Sequence, residues 1–320
     1  MTSLVTGGAG FIGSHLCEVL LEEGEEVVCL DNFWRGREEN ITHLLGNKNF
    51  KLVRGDIRDK SLVSETIKNC DTVYHLAAIN GTKYFYEKPL LVMDVNINGT
   101  KNILECSMNS DVERVIFASS SEIYGDAIKI PTPEDTLCRL DNPVATLRHS
   151  YSGSKFIGEI FCLSYYDKQG LPITILRYFN TYGPRLIGTP YGQVVSIFIN
   201  RVLSGEPPII YGDGEQTRSF TYISDAVDAT IAIARNPRAV GEVFNIGMER
   251  EITINELSTL VLKLCGREDL KPIYEEPLVG DCRRRCPDIT KIRETIGWKP
   301  RIGLEDGLRR TIEWFRNRMK

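Results

Sequence analysis

The stretch SLVTGGAGFIGSHLCEVLLEEG, residues 3–24, constrains the fold more than any other part of the chain. A short apolar run ends in glycines, and apolar side chains then recur at helical spacing until Gly24. Gly7, Gly10 and Gly13 stand three residues apart, and Gly8-x-Gly10-x-x-Gly13 overlaps them. A strand that turns this tightly into a helix collects bare backbone N–H groups at the positive end of a helix dipole. Such a place suits a pyrophosphate: one glycine permits the turn and another lets the phosphates approach the backbone. The spacing predicts a dinucleotide loop containing Phe11 and Ile12, with an acid about 20 residues on, at the end of the second strand. Asp31 closes EVVCLDN at that place, with Asn32 beside it. A carboxylate there accepts from both ribose hydroxyls and repels a 2′-phosphate, which points to NAD rather than NADP.

The same alternation continues. The apolar runs FKLVRGD, DTVYHLAA, RVIFASS and ITILRYFN are each separated by a stretch able to form a helix. That pattern predicts an α/β fold, a doubly wound parallel sheet with helices on both faces. After residue 180 the sequence turns rich in Gly and Pro and then mixes helices with short strands. A chain of 320 residues is long for one core. The reading is a dinucleotide-binding domain over residues 1–180 and a smaller α+β substrate lobe over 181–320, with the chain crossing between them.

Charge and composition remove several classes of function. The net charge is −4, from 39 basic and 43 acidic residues, which gives no footprint for nucleic acid. No apolar run approaches the roughly 20 residues that cross a bilayer, and the N-terminus shows no basic-then-apolar leader. Nine scattered cysteines suit a reducing cytoplasm better than a disulfide framework. Cys282 and Cys286 in CRRRC have no histidine near them in sequence, so no metal site is expected.

Two further places carry candidate chemistry. Asp56 and Ile57 in RGDIRD end the third apolar run, where Asp56 could meet an adenine amino group or simply cap a helix. Tyr151 and Lys155 in HSYSGSKFIGE share a helix face, four residues apart. Free side chains of these types titrate near 10 and 10.4, so neither works at neutral pH without a perturbation.

Taken in order, TGGAGFIGSHL, Asp31, GDIRD, HLAA, ASSSEIYGD, YSGSK, RYFNTYGP and GDGEQTRSFTYISDAV resemble the extended short-chain dehydrogenase/reductase family. This is the NAD-dependent epimerase/dehydratase group that modifies nucleotide sugars. The resemblance implies tightly bound, recycled NAD and a nucleoside diphosphate sugar, UDP-sugar favoured, as the small-molecule partner. It implies that Tyr151 takes the proton of the sugar C4 hydroxyl, with its pKa lowered by Lys155 and the nicotinamide charge, while Ser120 shares that proton network. Leu76, Ala77 and Ala78 of HLAA would lie along the cofactor, and Asn96 would support it. On the substrate side it implies Ser121, Asn180, Val195, Tyr211, Arg218, Arg283 and Arg285, with Arg218 and Arg283 clamping the diphosphate. It also implies a homodimer built on residues 92–108 and 151–169.

Glu122 separates the reactions that share a 4-keto intermediate. UDP-glucuronate decarboxylases have glutamate at this position, simple 4-epimerases have a small residue, and 4,6-dehydratases have an Asp-Glu pair. Ser121-Glu122 lacks the aspartate. Arg148, three residues before Tyr151, and Arg285 also read as in the decarboxylases. The loop Asn80–Tyr86, with Lys83 and Tyr84, departs from both the decarboxylase and the epimerase forms, and RYFNTYGPR with GTPYGQVV reads more like an epimerase. The expectation is a UDP-glucuronate decarboxylase forming UDP-xylose, with UDP-sugar 4-epimerase as the alternative. A non-catalytic NAD-binding protein is a third reading, against which Ser120, Tyr151 and Lys155 argue together.

Overall fold

Alternating apolar residues send successive side chains of each strand to opposite faces of one sheet. The computed structural model describes residues 1–319 apart from 141, 145 and 190. Its centre is a seven-stranded, all-parallel sheet. The strands are β1 (Thr2–Thr6), β2 (Glu26–Asp31), β3 (Phe50–Arg54), β4 (Thr72–His75), β5 (Arg114–Ser120) and β6 (Ile173–Tyr178), with an edge strand Val243–Ile246. Their spatial order runs from the edge strand through β6, β5, β4, β1 and β2 to β3. Leu4 and Val5 show the alternation: Leu4 packs with Val73, Val115 and Ile103, whereas Val5 packs with Leu16, Ile116 and Leu176.

Two helical layers close the faces. The first six helices are α1 (Phe11–Glu22), α2 (Lys60–Ile67), α3 (Thr82–Glu87), α4 (Pro89–Met93), α5 (Gly99–Met108) and α6 (His149–Gln169). Val63, Ile103 and Cys162 of α2, α5 and α6 share one apolar cluster, and Leu16 and Leu20 of α1 share the other with Ala226 and Val227 of helix Ile223–Ala234. The edge strand and that helix follow residue 180 in sequence yet belong to the layers of the parallel sheet.

A single glycine fixes the depth of α6. A Cβ on Gly158 would stand 2.5 Å from Cζ of Phe117 on β5. The bare glycine lets the helix lie against the strand, and this depth sets where Tyr151 and Lys155 emerge. Any side chain there would push α6 outward, an overpacking that costs about 1–3 kcal/mol.

Past residue 180 the chain also forms helices Val194–Leu203, Ile254–Cys265 and Leu304–Arg318. Thr253 and Glu256 form a capping box on the second of these. A three-stranded sheet pairs Thr217–Ser219 with Glu251–Thr253 and with the short strand Arg284–Arg285. Its register sets Arg285 opposite Arg218.

Candidate active site

β1 ends in the glycine turn, and the turn leads into α1 with no side-chain cap. The first-turn N–H groups of α1 are therefore left for a ligand. Gly7 has a φ of 71° and takes its own hydrogen bond to the Leu30 carbonyl at 2.8 Å. A Cβ on Gly13 would meet the Gly7 carbonyl oxygen at 2.2 Å, so the helix start and the turn touch backbone to backbone. Asp31 accepts from Ala9 N–H at 3.0 Å and from Phe33 N–H at 2.7 Å. Burial pushes its carboxyl pKa up, with those two N–H groups opposing.

A cavity of about 960 Å³ runs from this loop to Tyr211, Arg218 and Arg285. Gly7, Gly10, Phe11, Ile12, Gly13, Asp31, Asn32, Ile57, Leu76, Ala77 and Ala78 line its cofactor end. A bare-backbone turn, an uncapped helix start and an acid at the second strand fit NAD, so this chain has the residues to hold it. The cavity continues past Ser120, Ser121, Glu122, Tyr151, Lys155 and Asn180 to Lys83, Tyr211, Arg218 and Arg285.

Five expected residues fall elsewhere. Asp56 does not line the cavity; its carboxylate pairs with Arg58 at 2.8 Å and accepts from Asn32 at 3.0 Å. The Arg58 hydrogen bond holds that carboxyl at about 2. Asn96 is a brace: its Oδ1 accepts from Ile79 N–H at 2.8 Å and its Nδ2 donates to Ser154 on α6 at 3.0 Å. Val195 is 1% exposed and packs in the core, while its neighbour Val194 reaches the cavity, because a helix turns by 100° per residue. Arg283 points to solvent in a 2.8 Å pair with Asp213, leaving the cavity to Arg218 and Arg285. Tyr84 stacks on Tyr191 at 4.4 Å instead of lining the cavity. His75 bridges Thr6 and Thr100 at 2.8 and 3.0 Å, and burial lowers its pKa to about 3, so it is a neutral strut.

Tyr151 and Lys155 are both buried on α6 at the end of β5. Lys155 donates to the Ala118 carbonyl at 2.6 Å, and its ammonium lies 5.9 Å from the Tyr151 ring centroid. Burial lowers the Lys155 pKa to about 8. Burial also pushes the Tyr151 phenol well above its ordinary value, with the Ser120 hydroxyl and Arg35 opposing more weakly. The lowering expected from sequence is thus not a property of the chain alone. A positive charge brought to the site with a bound cofactor would supply the missing opposite charge.

Beside the phenol runs an alternating chain of charges. Arg285 donates through Nη1 to Glu122 Oε1. Glu122 Oε2 lies 3.6 Å from Arg148 Nη2. Arg148 reaches Asp281 at 3.0 Å, and Asp281 also holds Arg218 at 2.8 Å. Burial opposes the Glu122 charge, but Arg285, Arg148 and Arg218 outweigh it and hold the carboxyl at about 2. Three guanidiniums against two carboxylates leave a surplus positive charge. Arg148 Nη1 and Arg285 Nε are buried without a protein partner. Such groups call for an acceptor.

Asp281 and Arg35 were missed in sequence. Asp281 sits directly before CRRRC, so an acid next to a run of arginines was the available signal. Arg35, in NFWRG, lines the cavity and donates to the Tyr191 carbonyl at 3.4 Å; its position shortly after Asp31 was the signal there. No group of three or more His, Cys, Asp or Glu side chains able to hold a metal occurs among the described residues.

The family model for the NAD dependent epimerase/dehydratase family matches residues 3–247. A UDP-N-acetyl-alpha-D-glucosaminuronate decarboxylase of Bacillus cytotoxicus is 41% identical over 319 residues, covering 98% of this chain and 97% of that protein. A putative UDP-glucose 4-epimerase of Methanocaldococcus jannaschii is 38% identical, covering 98% of each. The crystal structure of UDP-glucuronic acid 4-epimerase from Bacillus cereus, in complex with UDP-glucuronic acid and NAD, superposes with a TM-score of 0.91 at 32% identity over 99% of both chains. With the glycine loop, Asp31 and the Tyr151–Lys155 helix in place, the chain belongs to the NAD-dependent epimerase/dehydratase family, and it is an NAD-dependent enzyme of the extended short-chain dehydrogenase/reductase type.

Proposed function

We propose that the protein decarboxylates a UDP-hexuronate through a 4-keto intermediate. The observation that carries this reading is the charge chain Arg285–Glu122–Arg148–Asp281–Arg218 beside Tyr151, with its surplus charge and two unpartnered guanidinium nitrogens. A sugar carboxylate and a diphosphate are both acceptors of the kind those groups lack. Support also comes from the Bacillus cytotoxicus decarboxylase, whose named substrate is an N-acetylated uronate.

Held by the Gly7–Gly13 turn and Asp31, NAD would supply the hydride acceptor, and later the donor, for sugar carbon 4. As a phenolate, Tyr151 takes the O4 proton, helped by the Ser120 hydroxyl, and the positive charge of Lys155 favours that phenolate before the transfer. The carboxylate on C5 is then β to a ketone. The C5–C6 bond breaks, CO2 leaves, and the electron pair passes to O4 as an enolate. Carbon 5 takes a proton from solvent, and Tyr151 gives its proton back to O4 as the hydride returns to carbon 4. Glu122, ionised at neutral pH, orients Arg285 and Arg148 and does not serve as an acid.

The test is proton NMR of the protein with NAD and either UDP-glucuronate or UDP-N-acetylglucosaminuronate. A pentose anomeric signal with CO2 release supports the proposal. The second reading is a 4-epimerase, favoured by the likeness to the Bacillus cereus enzyme. A galacturonate-type signal without CO2 would establish it and reject decarboxylation.

Two expectations join the proposal. Ile160, Leu163 and Tyr166 leave α6 exposed at 48%, 41% and 39%, an apolar face suited to a second copy of the chain. All nine cysteines are free, as a reducing cytoplasm would keep them.

A further inference from the structure

Residues 83–87 read KYFYE, and the decarboxylation mechanism assigns their aromatic side chains no role. Three consecutive aromatic side chains leave α3 toward three different neighbours. Tyr84 stacks on Tyr191 at 4.4 Å and meets Trp34 at 4.8 Å. Tyr86 donates its hydroxyl to the Val279 carbonyl at 2.9 Å and lies beside Arg148. Phe85 turns inward and is 3% exposed. Its ring lies over the Tyr151 ring with centroids 4.7 Å apart and an interplanar angle of 10°. Its carbonyl accepts from Ser150 Oγ at 3.2 Å, which ties its backbone to the residue before Tyr151. The short helix is fastened on either side, and its central residue covers the catalytic ring.

We propose that Phe85 is a positioning residue for Tyr151, its flat face setting the plane of the phenol and keeping water from that side. The inference rests on the reading of Tyr151 as the group that takes the sugar proton. Rotation of a tyrosine ring about χ2 is broad and two-fold, so packing has to choose its plane. Lys155 does not choose it, because its ammonium is engaged with the Ala118 carbonyl and stands 5.9 Å from the ring centroid. A working site holds its groups within about 0.5 Å and 10–20°. Leucine at position 85 fills space without a flat face, whereas tyrosine keeps the face.

The experiment compares Phe85→Leu and Phe85→Tyr with the wild type, as full-length protein loaded with NAD. Steady-state kinetics use whichever UDP-hexuronate the wild type turns over. In parallel, fluorine NMR is recorded on protein labelled with 3-fluorotyrosine, with Tyr151→Phe identifying the Tyr151 signal. Phe85→Leu is expected to lower kcat about 10- to 100-fold with KM nearly unchanged, as a misplaced reacting group does. It also displaces the Tyr151 fluorine signal, and Phe85→Tyr restores both. Three results overturn the proposal: an unchanged kcat in Phe85→Leu, an equal loss in both variants, or a raised KM at constant kcat. If the wild type turns over neither hexuronate, the reaction reading fails separately and the fluorine spectra decide: an unmoved Tyr151 signal in Phe85→Leu overturns the positioning role, and a displaced one supports it. Should Phe85→Leu melt early, Phe85→Met takes its place in both arms.

Discussion

Replacing Glu122 by Gln removes the central negative charge of the arginine chain while keeping its shape. In the wild type the carboxyl is held at about 2, against an ordinary value of 4.5, because Arg285, Arg148 and Arg218 outweigh the effect of burial. That depression corresponds to roughly 3 kcal/mol of folding stability, at 1.36 kcal/mol per pKa unit. The sign follows from the depressed value: the contribution is complete above about pH 4.5 and fades as pH falls toward 2, when the folded state also takes up the proton. Linkage then gives a loss of about 1 kcal/mol between pH 7 and pH 4, and of about 2 kcal/mol by pH 3. Glu122→Gln has no proton to gain there, so its stability falls less steeply. The assay is urea unfolding of both proteins at pH 7, 5 and 4. The gap in ΔG, widest at pH 7, should narrow by about 1 kcal/mol at pH 4. Parallel pH dependences would refute the argument that these guanidiniums hold Glu122 ionised.

Tyr151→Phe should cut turnover by about 10²- to 10⁴-fold while NAD stays bound, measured by turnover and by the absorbance ratio of the purified protein. Gly13→Val, whose Cβ would collide with the Gly7 carbonyl at 2.2 Å, should yield protein without NAD, read by the same ratio. Arg218→Ala should weaken UDP binding about 10- to 100-fold in calorimetry, as expected for losing a charged hydrogen bond, whereas Arg283→Ala should leave it unchanged. The wild type should sediment as a dimer, and Leu163→Glu, which places a charge on the exposed face of α6, as a monomer.

The cofactor half of the site was legible because it is local. A glycine turn, a helix start and an acid one strand later declare themselves by spacing, and Tyr151 and Lys155 by helix geometry. The substrate half is assembled from distant pieces. Asp281 joins Arg148, 133 residues away, to Arg218, 63 residues away, and no window of sequence contains that arrangement. Val195 was misplaced by one helix position, a phase that packing alone decides. Asp56 was legible as an acid at a strand end, but the neighbouring Arg58 claims it. The sense of the Tyr151 shift depends on burial, which sequence pattern does not weigh against charge.

The short strand Arg284–Arg285 makes the site depend on counting. Three arginines follow one another there, identical in composition and charge, yet only Arg285 enters the cavity. The choice is made by registration: Arg285 sits opposite Arg218, the Arg283 carbonyl accepts from Thr217 N–H at 3.0 Å, and Pro287 bridges to Thr132. Slipping this strand by one residue exchanges the sides of all its side chains. Losing Cys282 would therefore set Cys286 where Arg285 stands and turn Arg285 outward, leaving the protein's charge untouched and Glu122 without its partner. Alignments that score these three arginines as interchangeable would miss such a lesion, because the site is specified by the count of residues between two anchors as much as by their identity.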